Sequence, residues 1–244
     1  MALFSALSGT LLNVATVVVG GVLGVLLGNR LPARIQESLF GVLGLFTVLI
    51  GLLDAFTTKN ALIVLGALLL GTLLGEALDL ETRLNRFGDR VQQLMSRDGK
   101  PSRISEAFVT SSLVFCIGPL SILGPLDNGL TGDITKLAIK STLDGFAALA
   151  FGAALGPGVL LSTAVILLYQ GGISLGAHAL APLLTSNPNV ITELTATGGL
   201  ILVAIGLKLL KIRDLRVANM LPALIFAPLL VAVVAEVAQL HLFR

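Results

Sequence analysis

A lysine and an aspartate four residues apart, Lys140 and Asp144, lie in an apolar stretch that runs on to Leu155. With Asp133 and Lys136 they form one stripe of a helix at i, i+3, i+7 and i+11. Asp133 is of the type that caps a helix N-terminus, which places Lys140 about two turns inside and Asp144 about three. An ionisable side chain at membrane depth costs about 2.5–3.5 kcal/mol on insertion scales and usually faces a partner or a cavity. Two readings follow. Either the two residues form an i,i+4 ion pair that locks their helix against its neighbour, or they line a substrate or ion pathway.

The preceding stretch, FCIGPLSILGPLDNGLTGD, carries two Gly-Pro pairs, Gly118-Pro119 and Gly124-Pro125. Each proline lacks an N–H and frees the carbonyl four residues earlier, at Phe115 and Ser121. Loosened backbone is tolerated at membrane depth where protein or a wet cavity satisfies it. Ser121, Asn128 and the Phe115 carbonyl therefore join the candidates for a polar pocket. Asn13 in the first apolar segment and Tyr169 and Gln170 in the sixth need hydrogen-bond partners, as interhelical links or as site residues. The substrate- or ion-binding set is Lys140, Asp144, Phe115, Pro119, Ser121, Asn128, Gln170, Tyr169 and Asn13. No metal site or cofactor is expected: Cys116 is the one cysteine, read as a small packing residue, and no Walker A, GxSxG, HExxH or CxxC motif occurs. Nothing in the residues points to an enzyme.

The elements that must position these side chains are membrane helices. Of the 244 residues 55% are hydrophobic and 12% charged, about half the charged fraction of a soluble domain, and the mean hydropathy is +0.96. Charge-free runs such as Leu3 to Gly28 and Val217 to Ala235 reach or approach the roughly 20 residues that cross a bilayer. Lipid is thus the expected partner, and a net charge of +2 gives no reason to expect nucleic acid. The opening segment lacks a basic stretch before its apolar run, so it reads as a retained first helix rather than a cleaved signal.

An all-α, polytopic fold of about eight transmembrane helices is expected. Helices 1 to 3 cover about 3–28, 38–53 and 60–78. Helix 4 covers about 104–126, interrupted by its prolines, with a turn from Asp127 to Gly132. Helices 5 to 8 cover about 133–155, 159–180, 192–210 and 217–240. Pro182 and Pro188 bound a loop, Glu193 sits in the first turn of helix 7, and Pro228 kinks helix 8. Between helices 3 and 4, Glu81 to Arg103 carries six basic residues, with Leu84, Phe87, Val91 and Leu94 at helical spacing; it reads as an amphipathic interfacial helix. Gly20, Gly24 and Gly28 form a double GxxxG for close helix packing, within the chain or in a homo-oligomer.

Eight spans with the N-terminus outside put 12 of the 16 Lys and Arg on the inner side, as the positive-inside rule requires. The motif GLFTVLIGLL at Gly44 matches GLILVAIGLK at Gly199, LGALLLGTLL at Leu65 matches LPALIFAPLL at Leu221, and Gly20-Gly21 matches Gly171-Gly172. The offsets are nearly constant, and an offset of five spans makes the copies inverted. The chain divides into a first three-helix repeat (1–80), an interfacial segment (81–103), a central broken-helix pair (104–156) and a second three-helix repeat (157–244). Inverted repeats with interrupted helices are a feature of secondary transporters.

FCIGPLSILGPLDNGLTGD, KSTLDGFAALAFG, GVLLSTAVILLYQGG, TGGLILVAIGLKLLKI, NMLPAL and the opening GTLLNVATVVVGGVLG resemble the YdfK/YqgA-like family of bacterial integral membrane proteins. The resemblance covers nearly the whole chain. It implies a membrane location and a polytopic helical fold, and it carries over no site. The expected function is a secondary transporter or channel for a small polar solute or ion in the cytoplasmic membrane. The alternative is a non-transporting scaffold or sensor that uses the basic segment to meet partners.

Overall fold

A computed structural model describes residues 2–242 except 29, 31, 85, 87–89, 91–103, 118–119 and 186. Most of the amphipathic segment expected at 81–103 lies outside the described residues, as do Gly118 and Pro119. The described residues form helices and contain no strand. They are α1 (Ala2–Gly28), α2 (Ala33–Ala55), α3 (Ala61–Ala77), α4 (Ile104–Cys116), α5 (Leu120–Thr131), α6 (Thr135–Leu155), α7 (Ser162–Leu175), α8 (Ala177–Thr185), α9 (Pro188–Leu209) and α10 (Ala223–Leu242), with 3-10 turns at Pro157–Leu161 and Val217–Met220.

Five of these segments are long and apolar enough to cross a membrane: Ser5–Gly28, Thr135–Leu155, Pro157–Leu175, Pro188–Leu209 and Val217–Glu236. The pair Glu106–Cys116 and Leu120–Thr131, bent by 61°, adds a broken sixth. Reaching the expected eight requires the shorter apolar helices Gly41–Ala55 and Ala61–Ala77 to cross as well. Large apolar side chains such as Phe56, Leu62, Leu168 and Ile225 are exposed on the outer faces, the surface that a chain dissolved in lipid presents.

Several boundaries differ from expectation, each for a local reason. The chain breaks once, after Cys116, and Pro125 sits inside α5. The helix therefore continues through Asp127 to Thr131, where a turn was expected. Pro125 is the sixth residue of α5, early enough that its missing N–H costs a single helical bond. Helix 2 begins at Ala33, directly after Pro32 in an extended conformation. Helix 6 is three pieces, the 3-10 turn Pro157–Leu161, α7 and α8. Gly156 at φ +87° ends α6, and Gly176 ends α7. Pro182 lies within α8 instead of bounding a loop. The last helix begins at Ala223, because Pro222 follows a 3-10 turn.

The helix before it starts at Pro188, with Asn187 accepting from the Asn189 N–H; an Asn cap followed by Pro is a strong start signal. Glu193 therefore stands in the second turn of α9, not the first. Its carboxylate is buried and caps a different helix. Oε1 accepts from the backbone N–H of Lys59 (2.8 Å) and Asn60 (2.9 Å), and Oε2 from the Thr58 hydroxyl (2.6 Å), all just before α3. The cap at α6 is also shifted. Asp133 accepts from the Thr135 N–H at 2.8 Å and from its hydroxyl at 2.6 Å, while Ile134 occupies the N-cap position. Thr135 holds the exposed Asp133 carboxyl below the usual carboxylate range.

Small residues let backbones meet. Gly20, Gly24 and Gly28 of α1 lie against the backbone at Gly145, Leu149 and Ala153 of α6, so the double GxxxG is used within the chain. A Cβ on Gly51 would stand 2.6 Å from the Gly199 carbonyl oxygen, and one on Gly199 would stand 2.5 Å from that of Gly51. Gly206 meets the Gly44 carbonyl oxygen at 2.8 Å by the same measure. The α2–α9 contact is thus reciprocal. Gly71 and Gly75 of α3 meet Ala223 and Asn219, and Ala67, Ala223 and Ala227 form a shared cluster. At one end of these helices Lys208 pairs with Glu81 (3.0 Å), Lys211 with Glu37 (3.0 Å) and Arg216 with Glu76 (3.0 Å).

Candidate functional site

Helix α6 presents Lys140 and Asp144 on one face, both buried at 5% and 6% exposure. Lys140 Nζ lies 2.9 Å from Asp144 Oδ1 and 2.7 Å from Oδ2. The i,i+4 spacing makes this pair, and two other helices hold it. Asn13 of α1 donates from Nδ2 to Asp144 Oδ2 (2.9 Å) and to Gln170 Oε1 of α7 (3.1 Å). Gly20 and Gly24 bring α1 against α6 closely enough for Asn13 to reach across. Asn13 and Gln170 are fully buried.

The pair bonds internally and also lines a cavity. A space of about 480 Å³ lies between α2, the α4–α5 break and α6, with Ser121, Lys140, Asp144 and Asp54 as its chief polar lining. Leu43, Ile50, Phe151 and Leu202 supply apolar wall. Lys140 and Asp144 thus form the ion pair and also border open volume.

Phe115 is fully buried, with its ring edge-on to Phe151 at 6.2 Å. Its carbonyl is freed as expected, but Ser121 Oγ donates to it at 3.1 Å, with the Ile117 carbonyl at 3.2 Å. That oxygen is therefore occupied by the protein, and Ser121 works as the hydroxyl that bridges the break. Asn128 is not at the cavity. Its Oδ1 accepts from the Gly9 N–H (3.2 Å) and its Nδ2 donates to the Ser5 carbonyl (3.0 Å), fastening the end of α5 to the start of α1. Ser174 makes a similar link from α7 to the Pro125 carbonyl at 3.0 Å. Tyr169 is half-buried beside Gln170 and does not line the cavity. Pro119 lies outside the described residues.

Sequence reasoning missed Asp54 as a cavity residue because α2 was ended at Leu53; the helix runs to Ala55 and carries Asp54 inward. Thr47, about two turns earlier, also lines the cavity while donating to the Leu43 carbonyl at 2.8 Å. Glu193 was seen as a carboxylate, but its ligands come from 58–60, which no local pattern reveals. Among the described residues no cluster of His, Cys, Asp and Glu is suited to a metal ion.

Apolar helices of bilayer length, one broken span and a buried charge pair at its side define a polytopic integral membrane protein. The chain belongs to the family described as protein of unknown function DUF554, which it matches over residues 8–232. It is 37% identical over 222 residues to the "Uncharacterized protein YqgA" of Escherichia coli (strain K12), covering 90% of this chain and 94% of that protein. It is 29% identical over 231 residues to the "Uncharacterized membrane protein YdfK" of Bacillus subtilis (strain 168), covering 93% and 96%. No solved structure matches it.

Proposed function

We propose that the protein is a secondary transporter or channel that carries a small polar solute or ion across the cytoplasmic membrane, and that it does so without catalysing a chemical conversion. The observation that carries this reading is the buried Lys140–Asp144 pair opening onto a cavity of about 480 Å³ beside a broken span. Ionisable residues within spans face the bundle interior or a cavity and mark substrate and ion pathways, and interrupted helices supply such sites in transporters.

The reciprocal contacts of α2 and α9 support the inverted-repeat part of the reading. If Gly44 corresponds to Gly199, then Gly51 corresponds to Gly206. The contact of Gly44 with Gly206 and that of Gly51 with Gly199 are then one contact seen twice, as a two-fold axis requires. The N-terminus is assigned to the outside, which keeps the ion-paired ends at Glu37, Glu81 and Lys208 on the inner face with most of the basic residues.

The test is flux into proteoliposomes across a panel of small solutes and ions, comparing the natural chain with a Lys140→Ala, Asp144→Ala double variant. Loss of flux in a variant that elutes as a folded protein is the expected result. Equal flux from the two proteins for every active solute removes the site.

A further inference from the structure

We infer that Asp144 is a proton-binding site, and that its protonation frees Lys140 to hold the anionic group of a substrate with an apolar body. This rests on the transport reading above and names its coupling ion and substrate class. It starts from two buried atoms that have no partner, Asn13 Oδ1 and Gln170 Nε2.

Asp144 fixes which way the Asn13 amide points. An ionised carboxylate only accepts, so Nδ2 must face it, and the same nitrogen serves Gln170 Oε1. The amide oxygen is left with nothing, and a buried acceptor without a donor bears its full desolvation penalty. A carboxylate cannot repair this, whereas a carboxylic acid can. Its O–H donates to the amide oxygen while its other oxygen goes on accepting from the amide N–H, a two-point pair. Asn13 is therefore a partner for both forms of Asp144, and its hydrogen bonding is complete only with the protonated one.

The consequence falls on Lys140. Its carboxylate partner is Asp144, and a lone cation at this depth is costly. When Asp144 takes a proton, the ammonium needs another anion, and Lys140 faces the cavity from which one can come. Phe46, Ile50, Leu120, Phe151 and Leu202 on its walls suit an apolar body behind the anionic group. Charge balances in both states. Before, an ammonium faces a carboxylate; after, one proton has gone to the carboxylate and one anion has come to the ammonium. Proton and anion therefore raise each other's affinity by the same factor.

Cys116 on α4 lies near enough to interact with both Lys140 and Asp144, and Tyr169 on α7 interacts with Cys116. Asp54 on α2 lines the same cavity. Asp127 of α5 and Lys136 of α6 are paired with each other. α1 brings the uncharged Asn13.

Infrared difference spectroscopy of the reconstituted protein between acidic and alkaline pH reads the proton directly. The other acidic residues also contribute carboxylic acid C=O bands, so the natural chain is compared with its variants, and a component due to Asp144 is expected in the difference. That component should be missing from the neutral-pair variant Lys140→Gln, Asp144→Asn, and shifted in Asn13→Leu, where the acid loses its amide. Asp144→Glu, which keeps the charge pattern, should displace that component if the neutral pair does not fold, and a spectrum identical to the natural chain's overturns the proton site. Hexanesulfonate, an anion at every working pH, is the second probe. Adding it to weakly buffered protein should draw protons from solution, and its affinity should fall about tenfold for each pH unit above the titration of the site.

Identical difference spectra from the natural chain and the neutral-pair variant overturn the proton site. Hexanesulfonate that fails to bind, or binds with no pH dependence, overturns the coupling. Flux that depends on Lys140 and Asp144 alongside either of these results leaves the transport reading standing and removes this inference. A carboxyl component due to Asp144 and linked hexanesulfonate binding without any flux do the reverse.

Discussion

Replacing Asp144 with leucine separates what the Lys140–Asp144 pair contributes to folding from what it contributes to function. The single change leaves a buried ammonium with no carboxylate, and breaking a buried pair costs about 3–5 kcal/mol. It also strips the acceptor from one N–H of Asn13, about 1–3 kcal/mol for a buried donor. Lys140→Met breaks the same pair but leaves Asp144 held at 2.9 Å by Asn13, so its cost sits at the lower end. The double change removes both charges and fills the space with side chains of similar size. Only the Asn13 loss should remain, about 1–3 kcal/mol. The two singles together thus exceed the double by about 6–8 kcal/mol, above the usual coupling between contacting residues. Reversible unfolding in mixed detergent micelles gives the cycle, and flux into proteoliposomes from the same preparations gives the function. The double variant should fold well and transport nothing. Additive stabilities refute the claim that the pair is one electrostatic unit. A stable double variant with undiminished flux refutes the claim that it is a site.

Three other outcomes are expected. Gly24→Leu places a side chain against the backbone of Leu149 and Ala153, whose nitrogen would lie 3.0 Å from the new Cβ; backbone cannot move aside as a side chain does, so a loss beyond the usual 1–3 kcal/mol of overpacking should appear as failure to recover folded protein by gel filtration. Glu193→Ala removes the acceptor of the Lys59 N–H and the Thr58 hydroxyl and leaves the Asn60 N–H only its 3.2 Å bond to Thr58; it should cost on the order of 3 kcal/mol in the same unfolding assay, with faster hydrogen exchange at the start of α3. Thr135 lowers the Asp133 carboxyl, so that contribution to stability is full above the ordinary aspartate range and is lost as pH falls through the lowered value; Asp133→Asn should lower the neutral region of a thermal unfolding profile slightly, leave its acid end unchanged and so flatten the limb between them.

The residues on one helix were legible in the sequence, and the contacts between helices were not. The spacing of Lys140 and Asp144 sufficed to pair them, because i,i+4 neighbours meet on any helix. The freeing of the Phe115 carbonyl followed from the missing N–H of Pro119, and Ser121 is indeed found on it. Asn13 and Gln170 were marked singly as buried polar groups. That they meet each other across 157 positions of chain depends on how α1 and α7 lie against α6. Asn128 had the same polar signature and a different fate, since its helix end abuts Ser5 and Gly9. Helix ends were least legible where proline was taken as a stop. Pro125, Pro182 and Pro188 all lie within helices, in the early turns, where a lost N–H removes few bonds or none.

The glycine contacts also have a mechanical meaning. Where α1 meets α6, α2 meets α9 and α3 meets α10, backbone touches backbone at Gly24, Gly51 and Gly71, with no side-chain rotamer to absorb a displacement. Glu193 and Glu81 tie the ends of α3 to α9 and to the start of α10. Helices α2, α3, α9 and α10 thus behave as one stiff plate, and α1 with α6 as another. The cavity lies where the plates face each other, α2 against α6, and there side chains such as Phe46, Ile50, Leu143 and Ala147 form the joint. A change in its width is absorbed by rotamers at that joint while the plates keep their shape, which gives the molecule one soft seam and places Lys140 and Asp144 on it.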